Sequence, residues 1–468
     1  MGTTQRMAQF IINAQFEDIP TPAVDLAKLC LLDAVGCAIY GTTRPLGTII
    51  TELIDELGGK PVARVLGTGI ETNAPNAALA NGTLGHAEDF DDMGSGAHQA
   101  VLLMPVVLAL GEELDLSGKD ALTAYLVGLD TTANVSLNMG PDHYGKGWHG
   151  TSSTGTLGST AAAAKALRLD ELQTRMALGL GASQASGLRG NFGTMTKPFH
   201  PGRACQSGIL AAKMAQKGYE ANPNIMEDRF GYAAVLGEQM VQLGNMTRHL
   251  GYPWAIMGTG RDVAKGVDIK IWPCCGGTHA ANTAITHLLK DHPFKAADVA
   301  SVDVLTTDNP SCAAPNLRWP KSGLQGKFST WYTIASLIVD EGKLDLSSFT
   351  DAAAARPEVQ EMLKRVSIEQ HREVVGRPSR ALGGESYCEV SVTLKNGQTL
   401  SSRAEGHGDT YGWATRDKVF EKFKMLAGAV LPASQVDAAL NSIMEMEKAS
   451  DVRSVVDTVT LSRQPAAV

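Results

Sequence analysis

The sequence predicts a mostly α fold in which a large all-helical domain is built from both chain ends and a smaller α/β domain is inserted between them. Three observations carry this. Apolar residues recur at helical spacing from about residue 4 to 265. Near residue 268 the texture changes to alternation, valine-rich over 299–307 and doubled over 387–406 around Asn396-Gly397, a strong hairpin signal. Helical periodicity then returns to the end of the chain. The helical domain is therefore placed at 1–267 and 406–468, and the α/β domain at 268–405. A chain of 468 residues also exceeds the size at which one hydrophobic core stops growing.

In chain order, LAKLCLLDAVGCAIY, VLLMPVVLALGEEL, ALTAYLVGLDTTANVSL and SGILAAKMAQKGY read as helices, several of them apolar nearly all round. Such helices belong in the middle of a helical assembly or at a subunit interface, because a surface helix needs a polar face. Runs of small residues, GSTAAAAKAL and ALGLGASQASGL, let helices approach closely and are read as packing surfaces. VASVDVLTT and the hairpin YCEVSVTLKNGQTLSSRAEG supply the sheet, and DKVFEKFKMLAGAVL and ASQVDAALNSIMEMEKA supply the last helices. A cleft between two such domains is the default place for a ligand.

Composition narrows the function. Hydrophobic residues make up 44% and charged residues 19%, a globular balance. The net charge of -8 gives no general attraction to nucleic acid or anionic membrane, so an anionic substrate has to be drawn by a local cluster of cations. No apolar stretch is long enough to span a membrane and the N-terminus lacks the layout of a signal peptide, so the expected compartment is cytoplasmic. Seven scattered cysteines fit a reducing compartment, and adjacent Cys274 and Cys275 do not have zinc-ligand spacing. Neither a complete GxGxxG after a strand, nor GxxxxGK[ST], nor GxSxG occurs, which leaves nucleotide cofactors and the simplest hydrolases without support.

Four segments could carry chemistry. HAEDFDDM places His86, Glu88, Asp89, Asp91 and Asp92 within seven residues, and carboxylates this close need cations, backbone donors or a function to offset their repulsion. A solvated capping turn and a magnesium site are the alternatives. His98 follows in a glycine-bearing loop before an apolar helix, where the helix N-terminus would favour its neutral form. HYGKGWHGTSST brings His143, Tyr144, Lys146 and His149 ahead of a helix start, with Thr151 to Thr154 as capping candidates. MTKPFHPGRACQ carries Lys197, His200 and Arg203, with Pro198 and Pro201 expected to fix an extended approach, and reads as an anion-binding patch. IKIWPCCGGTH adds Lys270, Cys275 and His279, Cys275 being read as a small buried residue rather than a nucleophile.

Taken in order, LLDAVGCAIYG, GHAEDFDD, GWHGTSSTGTLGSTAAAAKALRLD, KPFHPGRACQSG and IKIWPCCGGTH resemble the MmgE/PrpD family over nearly the whole chain. The resemblance implies a helical domain with an α/β lid, a homodimer, no cofactor and no metal. It also implies an interdomain active site to which Asp89, His98, His149, Lys197 and Lys270 contribute, with Tyr144 matching a tyrosine of the epimerase branch. The expected activity is a 2-methylcitrate-dehydratase-like hydro-lyase on a small di- or tricarboxylate. An isomerase or epimerase of an iminodisuccinate-like or unsaturated dicarboxylate, and a non-catalytic carboxylate-binding protein, are the alternatives.

Cys275 stands where decarboxylase-like members carry histidine and Met93 where they carry threonine, and both departures speak against cis-aconitate decarboxylation. In the expected mechanism Lys197 or Tyr144 removes a proton α to a carboxylate and His149 or His98 supplies one, with Asp89 beside them. Arg203 and Lys270 hold the carboxylates, and His200, Cys275 and His86 complete the substrate contacts.

Overall fold

A computed structural model describes residues 1–140, 142–237, 241–258, 266–306, 312, 317–370, 387–405 and 415–462. Among the described residues the protein is mostly α-helical, with a two-stranded ribbon, Ala63–Arg64 with Glu71–Thr72, in the helical part and a four-stranded sheet in a smaller part. Two large apolar clusters organise the described residues. The first runs from Met7 to Ile269 and resumes from Val419 to Val459; the second runs from Trp272 to Ala404. Position 406, the expected point of return to the helical domain, lies outside the described residues.

The first cluster is held by helices with little or no polar face. Ala100–Leu114 is buried from Ala100 through Glu112, and Gly118–Asn138 is buried over most of its length. Helices can approach this closely because small residues line their contacts. Gly128 and Gly158 face one another across Gly118–Asn138 and Gly155–Ala166, and Gly208 lies against Ser159. The tightest such contact positions the site. Ala74–Gly85, capped by Asn73 accepting from the Asn76 amide, crosses Thr196–Gln216 where a Cβ on Gly82 would lie 2.7 Å from the Gly202 Cα. A Cβ on Gly202 would in turn meet the Leu79 carbonyl and the Thr83 hydroxyl. This crossing sets the end of the first helix, at His86, beside the start of the second, at Lys197.

Pro198 and Pro201 do not form the extended approach expected of them. Both lie within the helix Thr196–Gln216. Pro198 stands in the first turn, where backbone N–H groups have no carbonyl partner and proline removes little. Pro201 lies beyond that turn, inside the helix, where it removes one helical hydrogen bond. Thr151 to Thr154 likewise serve differently from expectation. No side-chain cap forms at the start of Gly150–Ser153 or Gly155–Ala166; the Thr154 hydroxyl turns back to the Gly150 carbonyl and the Thr151 hydroxyl accepts from the His98 amide.

The second cluster is a four-stranded sheet with helices. Val299–Thr306 pairs in parallel with Val366–Gln370 and antiparallel with Tyr387–Leu394, which pairs antiparallel with Thr399–Glu405. Asn396-Gly397 makes the hairpin turn, with Gly397 at φ 89°, the left-handed region glycine enters without a Cβ clash. The core side of the sheet, Val302, Val304, Val390 and Val392, is fully or almost fully buried with His279–Asp291 and Thr330–Val339 in the same cluster. Among the described residues no helix is long and apolar enough to cross a membrane.

The Gly82/Gly202 crossing has little slack, because most of the atoms that would meet a new methyl are backbone. Gly202→Ala is expected to cost about 1–3 kcal/mol, read as a lowered urea midpoint at unchanged slope. A midpoint equal to that of the parent protein would show that the two helices can separate freely.

Candidate active site

After the helix Ala74–Gly85 the chain cannot continue helically, because it turns twice within a few residues. The Ala87 amide bonds back to the Leu84 carbonyl and the Asp89 amide to the His86 carbonyl. Asp89 sits at φ 51°, a left-handed conformation that aspartate tolerates better than most residues with a Cβ. The loop then pairs with the segment that leads into the sheet domain, Met93 and Asp268 exchanging backbone bonds of 2.8 and 2.7 Å. Lys270, two residues on, is thereby delivered to the loop.

At the centre is the Asp89 carboxylate. One of its oxygens lies 2.6 Å from the Lys270 Nζ and 3.0 Å from the Lys197 Nζ. All three side chains are buried, and Asp89 also gives Lys270 its backbone carbonyl. Burial is the largest single influence on the Asp89 carboxyl and raises its pKa, but Lys197, Lys270 and two neighbouring histidines together outweigh it and hold the carboxyl well below its ordinary range. Burial lowers the Lys270 pKa, but Asp89 and Asp91 outweigh it and the value is raised, so Lys270 is a fixed cation. The second Asp89 oxygen is buried without a hydrogen-bond partner.

The histidines form the adjoining layer. His86, fully buried, has its Nδ1 2.7 Å from an Asp91 oxygen and its Nε2 2.8 Å from the Lys197 Nζ. Burial pushes its pKa from 6.5 down to about 3, with Asp91 opposing, so the ring is neutral. The His98 Nδ1 lies 2.7 Å from the Asp92 carbonyl and 3.0 Å from the other Asp91 oxygen, which stands off the hydrogen-bonding line. Its Nε2 is 3.8 Å from the Asp89 carboxylate, and it keeps 13% of its side chain exposed. Behind them His149 and His200 share a hydrogen bond between their Nδ1 atoms at 2.9 Å. Burial and the charge of Lys197 lower both, His200 to about 4.

The remaining expected residues separate into two groups. Cys275 is half-buried; a hydrogen bond with Cys312 lowers its thiol pKa, Lys197 and Lys270 assist, and burial and Asp89 oppose. Tyr144 is half-buried, with the Arg189 guanidinium 3.6 Å over its ring. Arg203 is not brought to the cluster. Its guanidinium bonds Gln206 at 2.6 Å, and Gln206 in turn bonds Asn76, at the opposite end of the helix that leads to His86. At about 1.5 Å of rise per residue that end is far from the lysines, and the spacing by three that suggested one patch instead turns Arg203 along the helix pair.

Several supporting groups carried no signal in the sequence. Phe192 and Phe328, one from each cluster's side of the molecule, have ring centres 5.4 and 5.2 Å from the Lys197 Nζ. Lys327, buried, reaches Glu88 at 2.7 Å and the Pro273 carbonyl at 2.7 Å, and Glu88 also pairs with Arg44 at 2.5 Å. From the last part of the chain, Lys422 ion-pairs with Asp33 at 2.7 Å and donates to the carbonyls of Phe90 at 2.5 Å and Lys270 at 3.0 Å. Each is a single lysine or phenylalanine in unremarkable surroundings, and only the fold gives it a partner.

His86, Asp89, Asp91 and His98 are the one group among the described residues that could hold a metal ion. Most of its donors are already engaged, the second Asp89 oxygen and the His98 Nε2 excepted. Two ammonium groups sit on Asp89, both imidazole Nδ1 atoms face Asp91, and the His86 Nε2 faces Lys197. A divalent ion would stand beside two fixed positive charges, so the donor set suits lysine. What this arrangement offers chemically is two cations for a carboxylate, a neutral imidazole with a free nitrogen, and a bound ammonium that can donate.

The family model for the MmgE/PrpD N-terminal domain matches residues 5–242, and that for the MmgE/PrpD C-terminal domain matches residues 272–448. Among curated proteins, the chain is similar to the cis-aconitate decarboxylase of Homo sapiens, 28% identical over 477 residues that cover 99% of this chain and 96% of the relative. It is also similar to that of Mus musculus, 28% identical with 96% and 92% covered, and to that of Aspergillus terreus, 25% identical with 97% and 95% covered.

Lys422 holds three segments at once, so its loss should be felt as a buried charge left without its partner. Lys422→Met is expected to cost about 3 kcal/mol or more, measured by denaturant unfolding. Adding Asp33→Asn should return part of that loss, since Asp33, whose pKa burial already raises to about 6, would no longer be an unpaired buried acid. A double variant no better than the single one would mean that the ion pair is not the source of the effect.

Proposed function

The chain belongs to the MmgE/PrpD family, and from that premise we propose that it is a lyase acting on a small di- or tricarboxylate, with dehydration of a hydroxy acid as its reaction. The observation that carries the reading is the pairing of two buried lysines on one carboxylate with a neutral histidine 3.8 Å from it. Lys270 and Lys197 supply positive charge for a substrate carboxylate and for the enediolate that forms when an α proton leaves. A second carboxylate is met by the same pair of cations or by backbone donors, Arg203 being elsewhere.

The roles differ from those expected for the side chains alone. The nearest partners of the His98 Nδ1 are both acceptors, so that nitrogen carries the proton and Nε2 is left with its lone pair toward the site. His98 is therefore the base. Lys197 donates to His86 Nε2 and contacts Asp89, an arrangement for giving a proton to a departing hydroxyl rather than for taking one from carbon. In the balanced step the α C–H pair stays on carbon as the proton moves to His98 Nε2. The C–O bond then breaks, the hydroxyl leaves with a proton from Lys197 as water, and the alkene forms.

A second reading, decarboxylation of cis-aconitate, is favoured by the names of the relatives at 25–28% identity. That reaction needs only an acid, which Lys197 could be, to protonate the carbanion left by carbon dioxide, and it gives the lone pair of His98 no proton to take. Cys275 and Met93, the two departures from decarboxylase-like members that the resemblance implies, support dehydration instead.

Proton NMR of the purified protein with 2-methylcitrate, citrate, cis-aconitate and iminodisuccinate in deuterated water separates the outcomes. Growth of an alkene signal from a hydroxy acid is the expected result. Loss of carbon dioxide from cis-aconitate would replace dehydration by decarboxylation, and α exchange without loss of either would mean an epimerase.

The pH profile tests the base. Burial lowers the His98 pKa below 6.5, with Lys270 and Lys197 assisting and Asp91 opposing, so His98 stays neutral when pH falls through the ordinary histidine range. The acid limb of kcat/KM is accordingly expected below pH 6.5. A limb at or above the free-histidine value would assign the base elsewhere.

A further inference from the structure

We propose that Asp91 is a positioning residue shared by His86 and His98: it turns the Nδ1–H of both rings inward and balances the charge of the one that takes a proton. The assignment rests on the reading of His98 as the base and adds to it the group through which that base works.

The two carboxylates of the loop have divided the available partners. Asp89 takes both lysines, whereas the ion pairs of Asp91 are with the two histidines, at 2.7 Å from His86 and 3.0 Å from His98, one on each oxygen. Asp91 is itself fully buried. A carboxylate only accepts, so His86 must present Nδ1–H to it, which leaves Nε2 to receive the Lys197 proton at 2.8 Å. His98 is held in the same tautomer from two sides, by the Asp92 carbonyl in line and by the Asp91 charge beside it.

One negative charge serves two rings. When the substrate proton reaches His98 Nε2, the imidazolium is stabilised by Asp91, and His86, facing the same carboxylate and the positive Lys197, stays neutral. The Lys197 proton then remains on Lys197, available to the leaving group. After the product departs His98, the more exposed ring, gives up its proton and Lys197 regains the one it donated, which restores the resting state. Asp91 touches no reacting atom in this scheme; it acts through the two imidazoles.

Two measurements test it. In the resting protein with 15N-labelled histidine, both His86 and His98 are expected as the Nδ1–H tautomer; either ring protonated on Nε2 overturns the assignment, with no turnover needed. In Asp91→Asn, kcat should fall about 100-fold or more with KM changed less than about threefold, and the acid limb of kcat/KM should move to lower pH as His98 loses its counter-charge. A variant that keeps kcat within threefold and the same limb overturns it equally. If the variant does not fold, or none of the four acids is turned over, the tautomers of the parent protein decide the matter alone, and the absence of turnover counts against the proposed reaction and not against Asp91.

Discussion

Two ammonium groups share one oxygen of Asp89 in a place closed to water, and much of the surrounding structure follows from keeping that contact intact. Removing ions from water is costly, and the cost is offset only when charges meet at close range with their remaining hydrogen-bonding capacity used. Lys270 uses a side-chain oxygen and a backbone carbonyl of Asp89; Lys197 uses the same oxygen and His86. The left-handed backbone of Asp89 is part of the same arrangement, since a residue with a Cβ keeps φ 51° only where its surroundings hold it there. The orphaned second oxygen marks where the site is incomplete without a further donor.

Three distant stretches of chain must converge for this contact to exist, and each does so through a different kind of packing. Glycine against glycine lets Ala74–Gly85 and Thr196–Gln216 cross closely enough to bring Lys197 to His86. Backbone pairing of Met93 with Asp268 brings Lys270 up from the start of the sheet domain. Lys422 arrives from the last part of the chain and grips the carbonyls of Phe90, next to Asp89 in sequence, and of Lys270 itself. Lys327 with Glu88 adds a buried ion pair across the two apolar clusters. A cation at the N-terminal end of a helix is electrostatically disfavoured, and Lys197 is in that position; Asp89 is the group that offsets it.

The division of labour between the carboxylates gives the site its chemical character. With Lys270 fixed as a cation by Asp89 and Lys197 on the same oxygen, the imidazoles are left neutral by burial and oriented by Asp91, and a base and an acid coexist within one hydrogen-bonded cluster. Pairs of groups whose surroundings push them to opposite protonation states are the usual basis of proton-transfer catalysis near neutral pH. Phe192 and Phe328 lie against Lys197, and apolar rings there lower the local dielectric and strengthen each interaction.

Hydrophobic period alone marks the helices, the valine-rich strands and the Asn396-Gly397 hairpin, because those features depend on residues a few positions apart. Five of the ten residues singled out, His86, Asp89, His98, Lys197 and Lys270, stand in direct mutual contact, and His149 and His200 stand just behind them. They could be found because clustered titratable residues in a chain of ordinary composition are conspicuous. Arg203 shows the limit of that reasoning: proximity in sequence to Lys197 did not bring it to the same place, since its position on the helix turns it toward Gln206. Which carboxylate serves the lysines, which the histidines, and which ring nitrogen is left free are settled by partners 100 or more residues away or by the turn of a loop. Lys327, Lys422, Phe192 and Phe328 have no local signature at all. Buried charges take their character from what they meet, and for these residues the meeting is made only by the tertiary fold.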